Sequence, residues 1–519
     1  MSAHTAPPSQ PTSDLEPENP GSSKNESCDT DHTPESKKNE EDVISVEAEG
    51  SFIQVGWEEP ETQDPANPMN WPNGRKWLNI AVLSCITFLT PLASSMFAPG
   101  VPNIMTEFHV TSPLLATFVV SVFVLGFAFG PLVLAPLSEL YGRLPVYHTC
   151  NVLFFVFTIG CAVAKNLGML IAFRFLAGFA GVAAVTCGSG TIADLMPVEK
   201  RGRAMAFWAL GPILGPIVGP VVGGVLIQHA GWRWAFWLIA IASGIITTLA
   251  FIVMRETYPV VLLERKASRL RKETGNPAYR SKLASDLSPT KLIKHTIVRP
   301  MKMLFLSPIV TAMCIYIAIM YGLLYILFTT YTFVFERVYH FSTSTAGLSF
   351  LGSGIGTIIG LAFCGTQSDR IIKAKQASST PLKPEDRLPL LITLPSCLSI
   401  PIGLILYAWS TDKAIHWMVP QLGTAITGFG IICIVMCVQT YLVDAFTIYA
   451  ASAIAANAVL RSLLGALLPL CGLDLYDKIG LGWGNTLLGF VALACAPIIW
   501  GFAVYGERIR MNPRWQVDF

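Results

Sequence analysis

The chain has 519 residues, of which 52% are apolar and 13% are charged, with a formal net charge of +2 and a mean hydropathy of +0.52. Soluble enzymes and nucleic-acid-binding proteins need more polar surface than this composition supplies. The composition therefore argues against those classes and predicts a membrane protein that lies mostly in lipid and has no nucleic-acid partner.

The first 70 residues differ in composition from the rest of the chain. They contain 16 acidic and 3 basic side chains, which gives them a charge of −13, whereas the remainder carries +15. A segment this polar buries too little apolar surface to offset its conformational entropy. We therefore predict that residues 1–70 are a disordered acidic tail on the cytosolic side. The segment also lacks the basic start and the apolar stretch of a cleaved signal peptide.

Twelve apolar runs follow this tail, and each is long enough to cross a bilayer as a helix, which takes roughly 20 residues. They lie at about 77–98, 113–137, 145–164, 168–193, 204–228, 234–254, 303–330, 344–367, 388–410, 415–441, 449–473 and 483–506. The sequence thus predicts an all-α membrane protein with two six-helix halves at 71–254 and 303–506. A basic cytosolic loop at 255–302 joins them, and a cytosolic tail follows at 507–519.

The distribution of Lys and Arg predicts the orientation in the membrane. If both termini are cytosolic, the cytosolic segments after residue 70 hold 26 of these residues and the outer loops hold 5. Without the long central loop, the cytosolic segments still hold 14. Because Lys and Arg accumulate in cytoplasmic loops, we expect both termini to be cytosolic. The plasma membrane is the favoured location, and the vacuolar membrane is the alternative.

Twelve cysteines and eight histidines form no pattern typical of a metal or redox site. Inside apolar runs, cysteine behaves as a small hydrophobe, and this is where Cys85, Cys161, Cys187, Cys314, Cys433, Cys437 and Cys495 lie. The histidines are scattered singly, and there is no CxxC motif. A membrane-embedded enzyme would need a metal cluster or a nucleophile–base pair at membrane depth. We therefore expect no metal, no cofactor and no enzymatic activity.

A glycine repeat runs through the fifth span. Glycines recur every four residues, and prolines lie between them: Gly211, Pro212, Gly215, Pro216, Gly219, Pro220, Gly223 and Gly224. Small residues at this spacing line one helix face, so that a neighbouring helix can approach closely. The prolines remove backbone donors and bend the helix. We interpret the repeat as a hinge or seal, and ordinary close packing is the alternative.

The two halves carry similar charged loops after their second spans. One loop covers residues 135–143 and the other residues 365–373, and each places a carboxylate, Glu139 or Asp369, four residues after a small residue. A cation follows four residues later in both loops. This similarity indicates internal duplication. Parallel six-span repeats with the substrate site between them are a common plan among transporters.

Four signatures in chain order resemble the major facilitator superfamily, in particular its fungal twelve-span drug:proton antiporters. They are residues 64–77, the 135–143 loop, Arg174-Phe-Leu-Ala-Gly178 and the fifth-span repeat. The resemblance covers about residues 64–510. It implies a monomeric proton-coupled antiporter that uses the proton gradient to export drugs, toxins or secondary metabolites by alternating access. A polyamine or nutrient permease of the same superfamily is the alternative.

The resemblance also implies roles for charged residues of the first half. Glu139 and Arg143 would form a latch at the cytosolic mouth, with Asp194 placed to pair with Arg143. Arg174 would take part in proton transfer. The alternative is a structural role, in which Arg174 donates hydrogen bonds to backbone carbonyls of neighbouring helices. The loop departs from the family pattern at residues 135, 139 and 140, where alanine, glutamate and leucine replace glycine, aspartate and arginine.

Proton carriers are harder to assign, because no Asp or Glu lies at mid-membrane in any predicted span. In the second half, Asp369 and Arg370 keep the charged pair of the loop. The remaining candidates on the cytosolic side are Asp194, Glu139 and Asp444, and Glu336 is the outer candidate.

The substrate cavity, by the same resemblance, lies between spans one, four, seven and ten. Tyr321, Tyr325 and Phe328 share one face of the seventh span, and Gln439 lies on the tenth. An aromatic cavity with few charges suits a bulky, apolar or weakly basic molecule, although these rings could equally be core or lipid-facing residues. Arg461 is a second cation within a span, and the sequence offers it no partner.

Overall fold

The structure, a computed structural model, describes residues 52–61, 63–284, 289–377 and 383–512. Within that part, eleven helical stretches are long and apolar enough to cross a membrane. The stretch Ala450–Met511 has 62 residues and leaves helical geometry at Gly480, where φ is 82° and ψ is 164°. Glycine adopts this conformation without steric strain. The stretch therefore supplies two spans, and the prediction of twelve spans in two six-helix halves is confirmed.

The first half contains eight helices, because its first and fourth spans are each broken once. They are α1 (Asn73–Ser95), α2 (Val101–Glu107), α3 (Pro113–Tyr141), α4 (Arg143–Ala162), α5 (Leu167–Gly181), α6 (Ala183–Leu195), α7 (Val198–Ala230) and α8 (Trp232–Val253). A 3₁₀ turn, Ala98–Gly100, connects α1 to α2. α3 begins at a proline, which needs no helical partner for its missing N–H. The Asn166 side chain caps α5 by accepting a hydrogen bond from the Met169 N–H.

Two helices and one strand of a short sheet occupy the central segment, and the second half follows. The helices of this region are α9 (Pro259–Thr274), α10 (Pro289–Leu306), α11 (Pro308–Tyr339), α12 (Thr343–Leu348), α13 (Phe350–Ala377), α14 (Leu390–Asp412), α15 (Met418–Ala445), α16 (Ala450–Leu467) and α17 (Gly472–Met511). A 3₁₀ turn, Pro384–Arg387, precedes α14. Each half has its own hydrophobic core, one built from α1–α8 and the other mainly from α10–α17.

The two faces of the bundle are distinguished by which loops they carry. Because the chain crosses the bundle twelve times, the start of α1 and the end of α17 lie on the same side. We call this side the terminal face. The central segment lies on the same side, because it follows the sixth span. The other side is called the opposite face.

Residues 53–61 and 63–70 have an ordered course and contact the central segment. Strand β1 (Ile53–Val55) pairs in parallel with strand β2 (Tyr279–Ser281), and Ile53 lies opposite Tyr279. The buried Asp64 carboxylate accepts backbone N–H groups of Glu58 and Ala66. The prediction of disorder is therefore wrong for residues 53–61 and 63–70. The central segment supplies hydrogen-bond partners for the backbone of this region. Residues 1–51 of the predicted acidic tail and 513–519 of the predicted C-terminal tail lie outside the described residues.

Candidate functional site

The first span is broken after Ser95, and Arg174 of α5 donates hydrogen bonds to carbonyls at the end of α1. Because α1 ends at Ser95, the carbonyls of its last turn lack intrahelical donors. Arg174 donates from Nη1 to the Ala93 carbonyl at 3.3 Å and from Nη2 to the Ser94 carbonyl at 3.1 Å. The same guanidinium donates to two carbonyls of α3, from Nε to Val119 at 2.8 Å and from Nη2 to Val120 at 3.3 Å.

Aromatic rings cover the Arg174 guanidinium, which is only 1% exposed. Its central carbon lies 3.8 Å from the centroid of the Phe97 ring, 5.0 Å from that of Phe123 and 5.9 Å from that of Phe236. Among the described residues, no carboxylate pairs with Arg174. The geometry fits the alternative role foreseen for this residue, a bond to backbone carbonyls across helices. Its part in proton transfer stays a prediction.

The glycine face of α7 lies directly against α1. A Cβ atom on Gly215 would lie 2.8 Å from the Leu92 nitrogen, and one on Gly223 would lie 1.7 Å from the Met96 carbonyl oxygen. Gly211 and Gly219 meet α1 in the same way. Since these neighbours are mostly backbone, they have little freedom to move away. The repeat thus holds α7 against α1 along its length and beside the break in the first span.

At the opposite face, α7 also contacts the second half. A Cβ atom on Gly224 would lie 2.8 Å from the Thr343 carbonyl oxygen and 3.2 Å from the Gly347 Cα. A Cβ atom on Gly347 would in turn lie 2.4 Å from the Pro220 carbonyl oxygen. We call these four residues the opposite-face seal. The backbone N–H of Ser344 donates to the Gln228 side chain at 3.0 Å beside them, so the two halves are in contact here.

At the terminal face of the first half, Arg143 contacts groups from three elements. Its Nε lies 3.7 Å from Asp194 Oδ2, and its Nη1 donates to Ser138 Oγ at 2.6 Å. Its guanidinium also lies over the Tyr258 ring, 4.7 Å from the centroid. The structure thus brings Arg143 and Asp194 together, as the sequence predicts. Glu139 is half-buried nearby and forms no ion pair among the described residues.

Glu256 belongs to the same cluster, although the sequence analysis did not single it out. Its carboxylate accepts the backbone N–H groups of Arg143 at 3.0 Å and Leu144 at 3.2 Å. These are unpaired donors at the start of α4, where a carboxylate is stabilised by the helix dipole. Glu256 lies more than 100 residues away along the chain, so no local spacing signals the contact.

The second half has an equivalent ion pair, but not between the residues predicted for it. Arg387 Nε donates to Asp444 Oδ2 at 2.6 Å. Asp369 and Arg370 are exposed, and neither has a hydrogen bond or ion pair in the described part of the chain. α13 continues to Ala377, which keeps both residues on the outside of an uninterrupted helix. A role of these two residues in proton coupling or gating stays a prediction.

The predicted aromatic residues of the seventh span form a continuous stack. The ring centroids of Tyr321 and Tyr325 are 5.0 Å apart, and those of Tyr325 and Phe328 are 5.7 Å apart. Phe328 then contacts Phe350 of α13 at 5.6 Å. Tyr325 and Phe328 are buried, whereas Tyr321 is half-buried. Gln439 lies half-buried on α15, and the described structure records no hydrogen bond for it.

Two polar residues of α16 lie beside this stack. The Arg461 guanidinium is 5.2 Å from the centroid of the Tyr321 ring, and its Nε is buried without a hydrogen bond. One helical turn earlier, Asn457 is 1% exposed, and both atoms of its amide lack partners in the described structure. The sequence did not indicate Asn457 as a site residue, because a single asparagine in an apolar span forms no recognisable pattern.

A bundle of twelve spans in two halves is a plan common among membrane transporters. Residues 83–469 match the sequence profile of the Major Facilitator Superfamily. The chain is 56% identical to the MFS-type transporter tndD of Aspergillus flavipes, over 88% of this chain and 85% of that protein. It is 51% identical to the efflux pump radE of Floropilus chiversii, over 89% of this chain and 86% of that protein. The chain therefore belongs to the Major Facilitator Superfamily, as predicted.

Solved structures of the same fold are more distant in sequence. A D-xylose–proton symporter superposes with a TM-score of 0.62 at 16% identity, covering 82% of this chain and 97% of that chain. An inward-facing bacterial homologue of the human lysosomal transporter Spinster superposes with a TM-score of 0.59 at 13% identity, covering 86% of this chain and all of that one. At these identities the comparison confirms the fold alone.

Proposed function

We propose that the chain is a proton-coupled antiporter that exports small amphipathic compounds, such as secondary metabolites, drugs or toxins, across the plasma membrane. The observation that carries the proposal is the similarity over most of the chain to named fungal transporters, one of them an efflux pump. The excess of Lys and Arg at the terminal face supports a cytosolic location for that face. The protein would work as a monomer without a cofactor.

Alternating access would follow from rocking of the two halves about the central site. The opposite-face seal joins α7 to the second half through glycine backbone, so the halves are in contact at the opposite face. With a cytosolic terminal face, this would be the conformer that is closed toward the outside. Opening that side requires Gly224 to separate from Thr343 and Gly347. No side chain has to be extracted from a pocket at these glycines, which favours a reversible contact.

Asp194 is the residue that we propose as the proton acceptor at the cytosolic mouth. Its carboxylate is paired with Arg143 at 3.7 Å, which is close enough for an ion pair and too long for a hydrogen bond. A proton that arrives from the outside and neutralises Asp194 would remove this attraction and release the cytosolic ends of the first-half helices. The proton would then leave to the cytosol, so that its binding biases one conformer over the other.

Replacement of Asp194 by asparagine is expected to abolish transport driven by a pH gradient and to preserve exchange of substrate across the membrane without a gradient. The asparagine is neutral and cannot take up the proton, but the two halves can still move. Both activities can be measured with purified protein in liposomes, as gradient-driven accumulation and as counterflow of labelled substrate.

Asp412→Asn is the matched control, because Asp412 has an ion pair of the same length with Lys413, 3.7 Å, at the opposite face. We expect it to behave as the wild type in both assays. If Asp194→Asn keeps gradient-driven accumulation, the proton acceptor is another residue.

A polyamine permease is the less favoured alternative. A polyamine carries several positive charges and needs anionic partners at the centre of the membrane. The spans carry acidic residues only near their ends, whereas Arg174 and Arg461 lie well inside them. The positive charge of the central region would therefore repel a polycation.

A further inference from the structure

Arg461 is a half-buried cation within a span, and no counter-charge lies beside it in the described structure. The guanidinium lies over the Tyr321 ring, and the described structure shows no ion pair and no hydrogen bond for it. A cation at membrane depth is costly unless it is paired or faces a water-filled cavity. A single tyrosine ring at 5.2 Å offsets only part of that cost.

The position of Arg461 is at the junction of the two halves. One turn further along α16, Gly465 lies against Tyr321 of α11 and against Val124 of α3, which belongs to the first half. α16 and α3 are therefore neighbours at this depth. A molecule bound between the halves would be within reach of the Arg461 guanidinium.

Asn457 adds a second unpartnered group on the same helix. Residues four apart share a helix face, so the Asn457 amide lies one turn from Arg461. Its nitrogen and its oxygen are both buried without a hydrogen bond. Buried amides nearly always have partners, so two unpartnered atoms on one side chain indicate a group that a ligand satisfies.

The ionised side chains well inside the spans are all positively charged. Two cations, Arg174 on α5 and Arg461 on α16, lie within the spans. No Asp or Glu lies at mid-span anywhere in the twelve spans. The carbonyls around Arg174 accept hydrogen bonds from four of its five N–H donors, but carbonyl dipoles do not neutralise its charge. The centre of the protein is therefore positively charged, and a cationic substrate would be repelled there.

From these observations we propose that the transported compounds are amphipathic acids. The anionic group, a carboxylate, an enolate or a phenolate, binds the Arg461 guanidinium and accepts a hydrogen bond from the Asn457 amide. The apolar body of the compound lies along the stack of Tyr321 and Tyr325. The substrate thus supplies the counter-charge that the chain lacks. The sequence alone favoured an apolar or weakly basic compound, and this proposal replaces that preference. It rests on the proposed export function.

The test compares compounds that differ only in charge. The compounds are grouped in threes: an aromatic acid, its methyl ester and the corresponding amine. Pump-deficient yeast that expresses the full chain is loaded with one compound at a time. 1-Pyrenebutyric acid, its methyl ester and 1-pyrenebutylamine form one triad with a fluorescent readout. The initial rate of efflux is measured for each compound against cells that carry an empty vector.

We expect the wild type to export acids in preference to their esters and amines. Arg461→Gln should lower acid export about tenfold or more, because it removes a charge-assisted hydrogen bond, and should leave any ester export unchanged. Arg461→Lys, which keeps the charge, should restore part of the acid export. Arg508→Gln is the matched control, since Arg508 also lies over a tyrosine ring, that of Tyr505, but on an exposed surface.

The outcomes separate this proposal from the proposed function. Export of esters or amines but not of acids would overturn the substrate class and leave the exporter intact. Acid export that is unchanged in Arg461→Gln would overturn the role of Arg461. Absence of export for every compound would count against the export function itself. Fluorescence-detected size-exclusion chromatography of each variant shows whether it is folded and monodisperse.

Discussion

Valine in place of Gly224 should favour the conformer that is open at the opposite face by about tenfold, which corresponds to about 1.4 kcal/mol. The added side chain would collide with the Thr343 carbonyl oxygen and the Gly347 Cα in the closed conformer. Both neighbours are backbone atoms and cannot rotate away. When the halves separate at this face, the collision disappears. The substitution therefore penalises one conformer rather than the fold.

Cross-linking can measure this shift. Cysteines introduced by Gln228→Cys and Ser344→Cys lie at a contact between the halves, where the Ser344 N–H donates to the Gln228 side chain. The exposed native residues Cys85 and Cys471 are replaced by serine in this background. Gly224→Val should slow formation of the cross-link and lower the rate of transport.

Val225→Ile is a suitable control for the added volume. Val225 is 48% exposed and adjacent to Gly224 on the outer surface of α7. Its substitution should leave the cross-linking rate as in the wild type. An unchanged rate in Gly224→Val would mean that this contact does not control opening of the opposite face.

Arg174→Lys should destabilise the folded protein by about 3 kcal/mol or more. Lysine keeps the charge, but its single nitrogen carries three donors and cannot make all four bonds that the guanidinium makes to carbonyls of α1 and α3. Buried carbonyls at the end of α1 would lose their donor, and membrane lipid supplies no replacement. The effect can be measured as the loss of monodisperse protein on heating in detergent.

Arg461→Lys provides the comparison within a span, because Arg461 forms no hydrogen bond in the described structure. It should unfold at nearly the wild-type temperature. If Arg174→Lys were as stable as the wild type and lacked only coupling to protons, Arg174 would act in proton transfer and not as a structural clamp.

Hydropathy was sufficient to predict the fold. Spans of apolar residues must form helices in lipid, since only internal hydrogen bonds satisfy their backbones. The four-residue spacing of Gly211, Gly215, Gly219 and Gly223 similarly indicated a helix face for close packing. These predictions depend on periodicity within one segment, and a single sequence contains that information directly.

Contacts between distant segments could not be predicted in this way. The bonds from Glu256 to the start of α4 and from Arg387 to Asp444 join residues that share no local pattern. The apparent similarity of the 135–143 and 365–373 loops was misleading, because Gly142 ends α3, with a φ of 100°, whereas α13 continues past Arg370. Similar residues therefore occupy different surroundings in the two halves.

The central claim, exchange of protons for an exported compound, can be tested by measuring both fluxes in the same liposomes. Purified protein is reconstituted into liposomes that contain a pH-sensitive dye. A concentration gradient is then imposed of the compound against which the chain gives yeast the strongest resistance. The account predicts proton movement opposite to the compound, present in the wild type and in Asp412→Asn and absent in Asp194→Asn. Compound flux without proton movement, or movement of both in the same direction, would contradict it.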